Sequence, residues 1–370
     1  MDVTWPLDVD VVVVGAGIVG ARCAEQVAAR GARVALVDKE ADAGREGSGR
    51  ALGAIRIQGR HPAEIPLARA ARDRWADEGE RGDFELTWGG NAYLAREPAE
   101  VPALERLAAE ARSAGFDVQL LTATDAREIL PAATGPFSHA MVSAIDGHCQ
   151  PVKATRHFAD AATRNGAITV YGTLVRRVMT SGGRVTGVVT DHGAIRARAV
   201  VIAGGVWTPH LASTAGVSVP IMPVSYPLAE TDPMPPIFTA AVRSARFSGR
   251  QRPDGRVVVS AGLSSRVGHA LSPYDLRHLR HWAPRLLRFR REVRLRVDPG
   301  MIGRQLRAAS VISPRTVPVP SPEPPADRPQ MDRALEAMRE VFPAMEPARL
   351  STYWSGLVDM SPDGLPIVDG

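Results

Sequence analysis

Val9-Asp10-Val11-Val12-Val13-Val14-Gly15-Ala16-Gly17-Ile18-Val19-Gly20 is followed by a helical pattern and then by Arg33-Val34-Ala35-Leu36-Val37-Asp38. The valine run is short, apolar and β-branched, which predicts a buried strand. After it, Val19, Cys23 and Val27 recur at four-residue spacing among Arg22, Glu25, Gln26 and Arg30. That spacing predicts a helix with its apolar stripe inward, closed by Gly31. A G-x-G-x-x-G pattern alone is weak evidence, because turns everywhere use glycine. Here it follows a strand, opens a helix and precedes a second strand ending in a carboxylate, the context that gives the motif meaning. Gly15 permits the tight turn, Gly17 admits a pyrophosphate to the backbone, and Gly20 lets helix and strand pack closely. The N–H groups at the helix start face the phosphates. Asp38, ~18 residues past Gly20, is placed to accept hydrogen bonds from an adenosine ribose, and its charge disfavours a ribose phosphate. The segment predicts a dinucleotide site.

Working outward, 370 residues accommodate two domains with a core each. No run approaches ~18 uninterrupted apolar residues, so no membrane span is expected. The start lacks a basic region before its valines, and the glycine turn needs those valines as a strand; no secretory leader is read there. Cys23 and Cys149 are the only cysteines, too few for a disulfide framework or a thiolate metal site. A cytoplasmic setting and no metal are expected. The net charge of +5 is carried almost wholly by arginine, with Lys39 and Lys153 the only lysines. That bias, beside abundant alanine and proline, reads as GC-rich codon usage, and no nucleic acid is expected. The densest basic stretch, Arg277 to Arg296, interleaves arginines with Leu279, Trp282, Leu286, Leu287 and Phe289. It predicts an amphipathic helix with a solvated face.

Along the chain, Ala43 to Gly53 forms a second glycine-rich loop. Helices are predicted near 63–78, 100–114, 152–165 and 331–342, with a hairpin or two short strands over 85–94. Residues 174–180, 185–191 and 194–199 read as a small antiparallel meander turning at Gly182-Gly183. It leads into Ala199-Val200-Val201-Ile202-Ala203-Gly204-Gly205-Val206-Trp207, another buried strand entering a glycine turn. Strands resume near 221–231 and 256–261. Residues 313–329 hold seven prolines and read as an extended connector. The Asp146 to Pro151 run reads as a structural turn.

The arrangement resembles the D-amino-acid oxidase family of FAD-dependent oxidoreductases, in particular its glycine oxidase, sarcosine oxidase, opine and hydroxyproline dehydrogenase branches. The resemblance runs from Val9 to Gly370 and rests on four motifs: Gly15–Gly20 with Asp38, Arg45–Ala51, Ala203–Trp207, and Trp354-Ser355-Gly356-Leu357 with Ser361–Pro366. It implies an α/β fold, a Rossmann-type FAD-binding domain with an interleaved antiparallel-sheet substrate domain. The FAD domain is expected over 1–75, 145–215 and 331–370, the substrate domain over 76–144 and 216–312, and the connector over 313–330. It implies noncovalent FAD contacts at Gly15, Gly17, Ile18, Val19, Gly20, Asp38 and Lys39. Further contacts are implied at Gly47, Ser48, Gly49, Arg50, Ala51 and Gly53, at the Val175 backbone, and at Ala203, Gly204 and Trp207. From the residues themselves, glycines at 47 and 49 around the Ser48 hydroxyl suit close approach to phosphate or ribityl oxygens.

The implied reaction is oxidation of the C–N bond of a small amino acid or N-substituted amino acid: a glycine derivative, an opine or an imino acid. Two departures from the pattern matter. Val358-Asp359 stands where many glycine-oxidase-like members carry a carboxylate-binding arginine. The family's usual closing strand, glycine-rich turn and helix are not found before Gly370. Either the sequence is cut short of that segment, or a partner-dependent or weakly catalytic flavin subunit is a second expectation; a hydroxy-acid dehydrogenase is a third. A partner subunit or homo-oligomer fits the second. Arginine offers a bidentate fork for a substrate carboxylate. Arg56 beside the loop and Arg250 before the Pro253-Asp254-Gly255 turn are the candidates. His61 is a candidate near the amine, and Trp354 and Tyr226 are candidate aromatic walls. Each has an ordinary alternative: a contact to FAD or a neighbouring loop, a solvated strand end, a turn before a helix, and core.

Overall fold

The computed structural model describes residues 5–265, 267–271, 278–288, 293–297, 299 and 325–369. Strands Ala199–Ile202, Val11–Val14, Val34–Val37 and Ile168–Val170 lie side by side in that order, all parallel. Val14 is level with Val37, so both strands end at one edge. There the Gly15 N–H donates to the Val37 carbonyl and the Ala203 N–H to the Val14 carbonyl, each at 2.8 Å. The glycine turn is thus pinned at the carboxyl ends of the strands, where open parallel sheets bind ligands. Helices Ile18–Ala28 and Pro151–Arg164 cover one face, packing Ala21, Ala24, Phe158 and Ala162 onto Val13 and Leu36. The meander Val175–Ser181, Arg184–Thr190 and Ala194–Arg196 covers the other, burying Val178, Val188 and Ile195 against Val12 and Ala35.

The first helix turns a different face inward from the one its larger apolar residues mark. Its buried stripe is Gly20, Ala21, Ala24 and Ala28. Val19 is 70% exposed, and Cys23 and Val27 are half-buried. A Cβ on Gly20 would lie 1.8 Å from the Gly15 carbonyl oxygen, so helix and turn are too close for anything larger. Close approach of the small-residue face outweighs burial of two valines.

A second, ten-stranded sheet runs Val293–Val297, Val267–Leu271, Met222–Thr231, Val257–Ala261, Phe247–Gln251, Ala241–Ser244, Asn91–Ala95, His139–Ser143 and Gln119–Thr122. Leu350–Met360 pairs along the outer side of Met222–Thr231. The sheet is mixed rather than purely antiparallel, because Ala241–Ser244 runs parallel to Asn91–Ala95 and Val267–Leu271 parallel to Val293–Val297. Helix Arg328–Val341 lays Met331, Leu335, Met338 and Val341 on Val242, Phe247, Val257 and Val259. Each fully buried large side chain there contributes ~1.5–3 kcal/mol. With one face sealed by the helix, the alternation of strand residues delivers the polar set to the other.

Four expectations need correction. Residues 331–360, expected with the nucleotide-binding layer, are built into the large sheet through this helix and the Leu350–Met360 strand. Over 85–94 there is no hairpin: the strand is Asn91–Ala95, and Thr87 makes an isolated bridge to His148. Among its described residues the basic stretch is helical over Leu279–Arg288, and Arg294 and Arg296 belong to the Val293–Val297 strand. The connector closes before Arg328, because the Asp327 side chain accepts the Gln330 N–H and starts the helix there. Residues 313–324 of that connector lie outside the described residues.

Candidate functional site

The site begins at the glycine turn. Gly15 has φ +104°, and a Cβ there would lie 2.5 Å from the Ala203 carbonyl oxygen, so two glycine-rich turns meet backbone to backbone. The Asp38 carboxylate accepts the Ala16 N–H at 2.5 Å and the Glu40 N–H at 2.8 Å, clamping the turn to the end of the second strand. Burial raises the Asp38 carboxyl above its ordinary range, against the pull of those two N–H groups. The first turn of the Ile18–Ala28 helix holds no acidic residue, so the positive end of its dipole is uncompensated from within. Lys39 pairs with Glu40 and Glu46 and sits 4.9 Å from the centre of the Trp207 ring. The Gly172 and Thr173 N–H groups donate to the Glu40 and Asp38 carbonyls, which brings the start of the Val175–Ser181 strand alongside.

The loop from Gly44 to Gln58 ties this end to the large sheet. At one side the Ser48 Oγ accepts the Ile18 N–H at 2.9 Å, and the Gly44 N–H donates to the Ala16 carbonyl at 3.0 Å. At the other side the Trp354 indole N–H donates to the Arg50 carbonyl at 3.2 Å, and Arg50 returns a bond to the Ser355 carbonyl at 3.3 Å. Arg250 Nε donates to the Leu52 carbonyl. Further on, Asp146 accepts the Ile57 and Gln58 N–H groups at 2.9 and 3.2 Å. The Asp146 run is therefore a structural anchor for this loop, with Gly147–His148 paired to Ala54–Ile55.

Beneath the loop lies the face of the large sheet turned away from helix Arg328–Val341. Register carries one row across it: Tyr93 opposite Arg243, Arg243 opposite Ser248, Ser248 opposite Ser260, Ser260 opposite Leu228, and Leu228 opposite Trp354. Arg250, two residues past Ser248, shares that face. Arg243 stacks 5.9 Å from the centre of the Tyr93 ring. Burial depresses its ionisation, and the neighbouring Arg56 guanidinium depresses it further. Arg250 is 2% exposed, and burial brings it down to about 10. His148 is held down to about 4 by burial first and by Arg250 second, so it is neutral at physiological pH. Its Nε2–H donates to the Thr239 carbonyl at 2.9 Å, leaving Nδ1 as an acceptor. Arg243 Nε, Arg250 Nη1, Ser248 Oγ, His148 Nδ1 and Asn91 Oδ1 are all buried without a hydrogen-bond partner. Native interiors rarely tolerate so many orphaned polar atoms, and the four from Asn91, Arg243, Ser248 and Arg250 share one face of the large sheet, which marks a place for a polar ligand.

The structure brings together most of the residues picked out from the sequence. Gly15, Gly17, Ile18, Gly20, Asp38, Lys39, Ala203, Gly204 and Trp207 surround the first turn, with Val19 exposed on its outer side. Gly47, Ser48, Gly49, Arg50, Ala51 and Gly53 form the bridging loop. Arg56 follows it and donates to the Gln58 carbonyl at 2.7 Å. Trp354 and Arg250 border the sheet face. His61 is not brought in: it is exposed, and its Nδ1 accepts the Ala63 N–H at the start of the Pro62–Glu64 turn. That is the capping role open to any His-Pro turn. Tyr226 donates its hydroxyl to the Ala261 carbonyl at 2.7 Å. Arg243, Tyr93, Asn91 and Ser248 were missed, and Ala241-Val242-Arg243-Ser244 carries no alternation that would have marked the first.

No helix among the described residues is long and apolar enough to cross a membrane. Comparison with known proteins now fits the geometry. The chain is 30% identical over 219 residues to 4-methylaminobutanoate oxidase (formaldehyde-forming) of Paenarthrobacter nicotinovorans, covering 58% of this chain and 27% of that one. It is 25% identical over 297 residues to hydrogen cyanide synthase subunit HcnC of Pseudomonas aeruginosa, covering 68% of this chain and 71% of the other. The chain thus spans about a quarter of the first relative's length and about seven-tenths of the second's. The L-amino acid deaminase of Proteus vulgaris superposes over 100% of this chain and 87% of its own with a TM-score of 0.86 at 23% identity, a likeness of fold. Residues 10–370 match the model of one family. The chain belongs to the FAD dependent oxidoreductase family, DAO.

Proposed function

We propose that this chain binds FAD noncovalently and oxidises the C–N bond of a small amino acid or N-substituted amino acid, a glycine derivative, opine or imino acid. The observation that carries the substrate half is Arg243, which lies on the sheet face under the bridging loop with its Nε buried and unpartnered, and which feels the charge of Arg56 from the loop above. A buried guanidinium edge that no carboxylate contacts is a receptor for a carboxylate, which a guanidinium fork binds in a fixed plane.

The residues present fit the cofactor. The uncompensated helix start and the Gly15–Gly20 turn would hold its pyrophosphate, and Asp38 its adenosine ribose. Lys39, Trp207 and the Val175 backbone flank the adenosine end, and Ser48 to Gly53 the approach to the sheet. When bound, the flavin supplies the acceptor for the hydride that leaves the amine-bearing carbon. The protein's part is positioning. Arg56 and Arg243 fix the carboxylate, while Tyr93 and Trp354 wall the face and keep water out. His148, with its value near 4, stays neutral and offers only an acceptor, so the amine loses its proton to solvent before it is oxidised. The imine released then hydrolyses.

The test is anaerobic mixing of the FAD-loaded protein with glycine, sarcosine, D- and L-amino acids, N-carboxyalkyl amino acids and matched hydroxy acids. Bleaching of the yellow flavin by the amines alone is expected, and Arg243→Met should raise KM at least ~10-fold. Retained flavin that no amine bleaches overturns the reading; bleaching by hydroxy acids alone replaces it with the third expectation. A partner-dependent flavin subunit is the second reading, favoured by the similarity to a protein named as a synthase subunit. Efficient turnover by the isolated chain would dismiss it.

A further inference from the structure

Arg56 and Arg243 account for one carboxylate and leave Arg250 unexplained. Arg243 lies directly opposite Ser248 in an antiparallel pair, so Arg250 is its diagonal neighbour on the same face, ~7–8 Å away at the backbone. Its Nε is used by the Leu52 carbonyl, while Nη1 is buried and unpartnered. The Ser248 hydroxyl between the two arginines is buried and unpartnered as well. The carboxylates nearest in effect to Arg250 are committed elsewhere. Glu85 pairs with Lys153 at 3.0 Å and Arg252 at 3.5 Å, and Glu230 with Arg252 at 2.8 Å and Arg256 at 3.6 Å. Asp146, the acid that faces Arg243, is occupied by backbone N–H groups. His148 is uncharged, and Cys149 beside it is pushed up to about 12 and stays a thiol. Arg250 therefore holds a buried positive charge with a free donor edge and, among the described residues, no carboxylate in ion-pair contact, with Glu85 and Glu230 acting on it only from a distance. Proteins keep such a charge only where it is paired or meets a ligand.

We propose that the substrate is a dicarboxylate amino acid, with one carboxylate on Arg56 and Arg243 and the second on Arg250 and Ser248. The inference rests on the amine-oxidising reading above and narrows its substrate. The second carboxylate belongs either to an N-carboxyalkyl substituent or to an acidic side chain; the site chemistry is the same, and the substrate pairs below separate the two.

The experiment measures flavin reduction in the FAD-loaded wild-type protein with pairs that differ by one charge. N-carboxymethyl-alanine is compared with its N-carbamoylmethyl analogue, and aspartate with asparagine. In at least one pair the diacid should exceed the amide about 10- to 100-fold in kcat/KM, which is roughly 1.4–2.8 kcal/mol. The pair that shows it names the source of the second carboxylate. Malonate and glutarate should also perturb the flavin absorbance at lower concentration than acetate and butyrate. In Arg250→Met with its flavin retained, the diacid preference should collapse toward unity, and Arg250→Lys should restore part of it. Ratios below ~2 in both pairs, while monocarboxylates still bleach the flavin, overturn this inference and leave the amine reading standing. Failure of every amine to bleach overturns the amine reading itself. An Arg250→Met protein that slows all substrates equally, with its preference intact, assigns Arg250 to the cofactor and also overturns the inference. The wild-type ratio decides the matter even where Arg250→Met fails to fold.

Discussion

His148 links the buried charge at the site to a stability measurement that needs no substrate. Its ring is 1% exposed, donates from Nε2 to the Thr239 carbonyl, and faces Arg250. Burial and that neighbour lower it from 6.5 to about 4. Below about pH 6.5 the unfolded chain takes up a proton here that the folded chain refuses until about pH 4. The unfolded state is then favoured, so stability falls as pH falls through that window. At about 1.4 kcal/mol per pH unit the whole span amounts to about 3 kcal/mol. Other groups titrate in the same range, so the informative quantity is a difference between proteins. His148→Gln keeps an N–H donor for Thr239 and does not titrate. Urea unfolding of both proteins, at equal FAD concentration, is followed from about pH 7 to 4.5. The variant should be the less stable at neutral pH and should lose that disadvantage, by about 2–3 kcal/mol, as the acid end is approached. Curves that stay parallel to within ~0.5 kcal/mol would show that His148 titrates near its ordinary value, and the dry environment assigned to Arg250 would go with it.

Two further changes test the cofactor end. Gly20→Ala places a Cβ where the Gly15 carbonyl stands, 1.8 Å away, and Gly15 is itself blocked by Ala203. The turn has nowhere to retreat, so a loss of ~1–3 kcal/mol and FAD affinity weakened at least tenfold are expected in thermal melts and fluorescence titration. Ser48→Ala removes the acceptor of the Ile18 N–H. A cap of this kind contributes ~1 kcal/mol, so FAD affinity should drop about fivefold, and an unchanged value would mean the loop does not brace the helix start.

The nucleotide end was readable because its determinants are local. A strand, a glycine turn, a helix and an acid lie within 30 residues of one another, and each imposes its own periodicity or backbone need. Even there the helix face was misjudged, because the contact distance set by Gly15 and Gly20 is a tertiary fact that side-chain size alone does not reveal. The substrate end depends on pairings that periodicity cannot choose. Ala241–Ser244 finds its parallel partner in Asn91–Ala95, far back in the chain, and that register puts Arg243 beside Tyr93. The same distance explains the missed hairpin. Asn91–Ala95 draws its partners from His139–Ser143 and Ala241–Ser244, and Thr87 bridges to His148 instead, so residues 85–88 do not fold back on the strand that follows them. Arg250 was identified for its chemistry, but its meaning came from what surrounds it: carboxylates that turn out to be engaged, a histidine that turns out to be neutral, and a second arginine that no local pattern marked. A guanidinium on a solvated strand end and one sealed under a loop read the same in sequence. Only the burial separates them, and burial makes the missing counter-ion chemically significant.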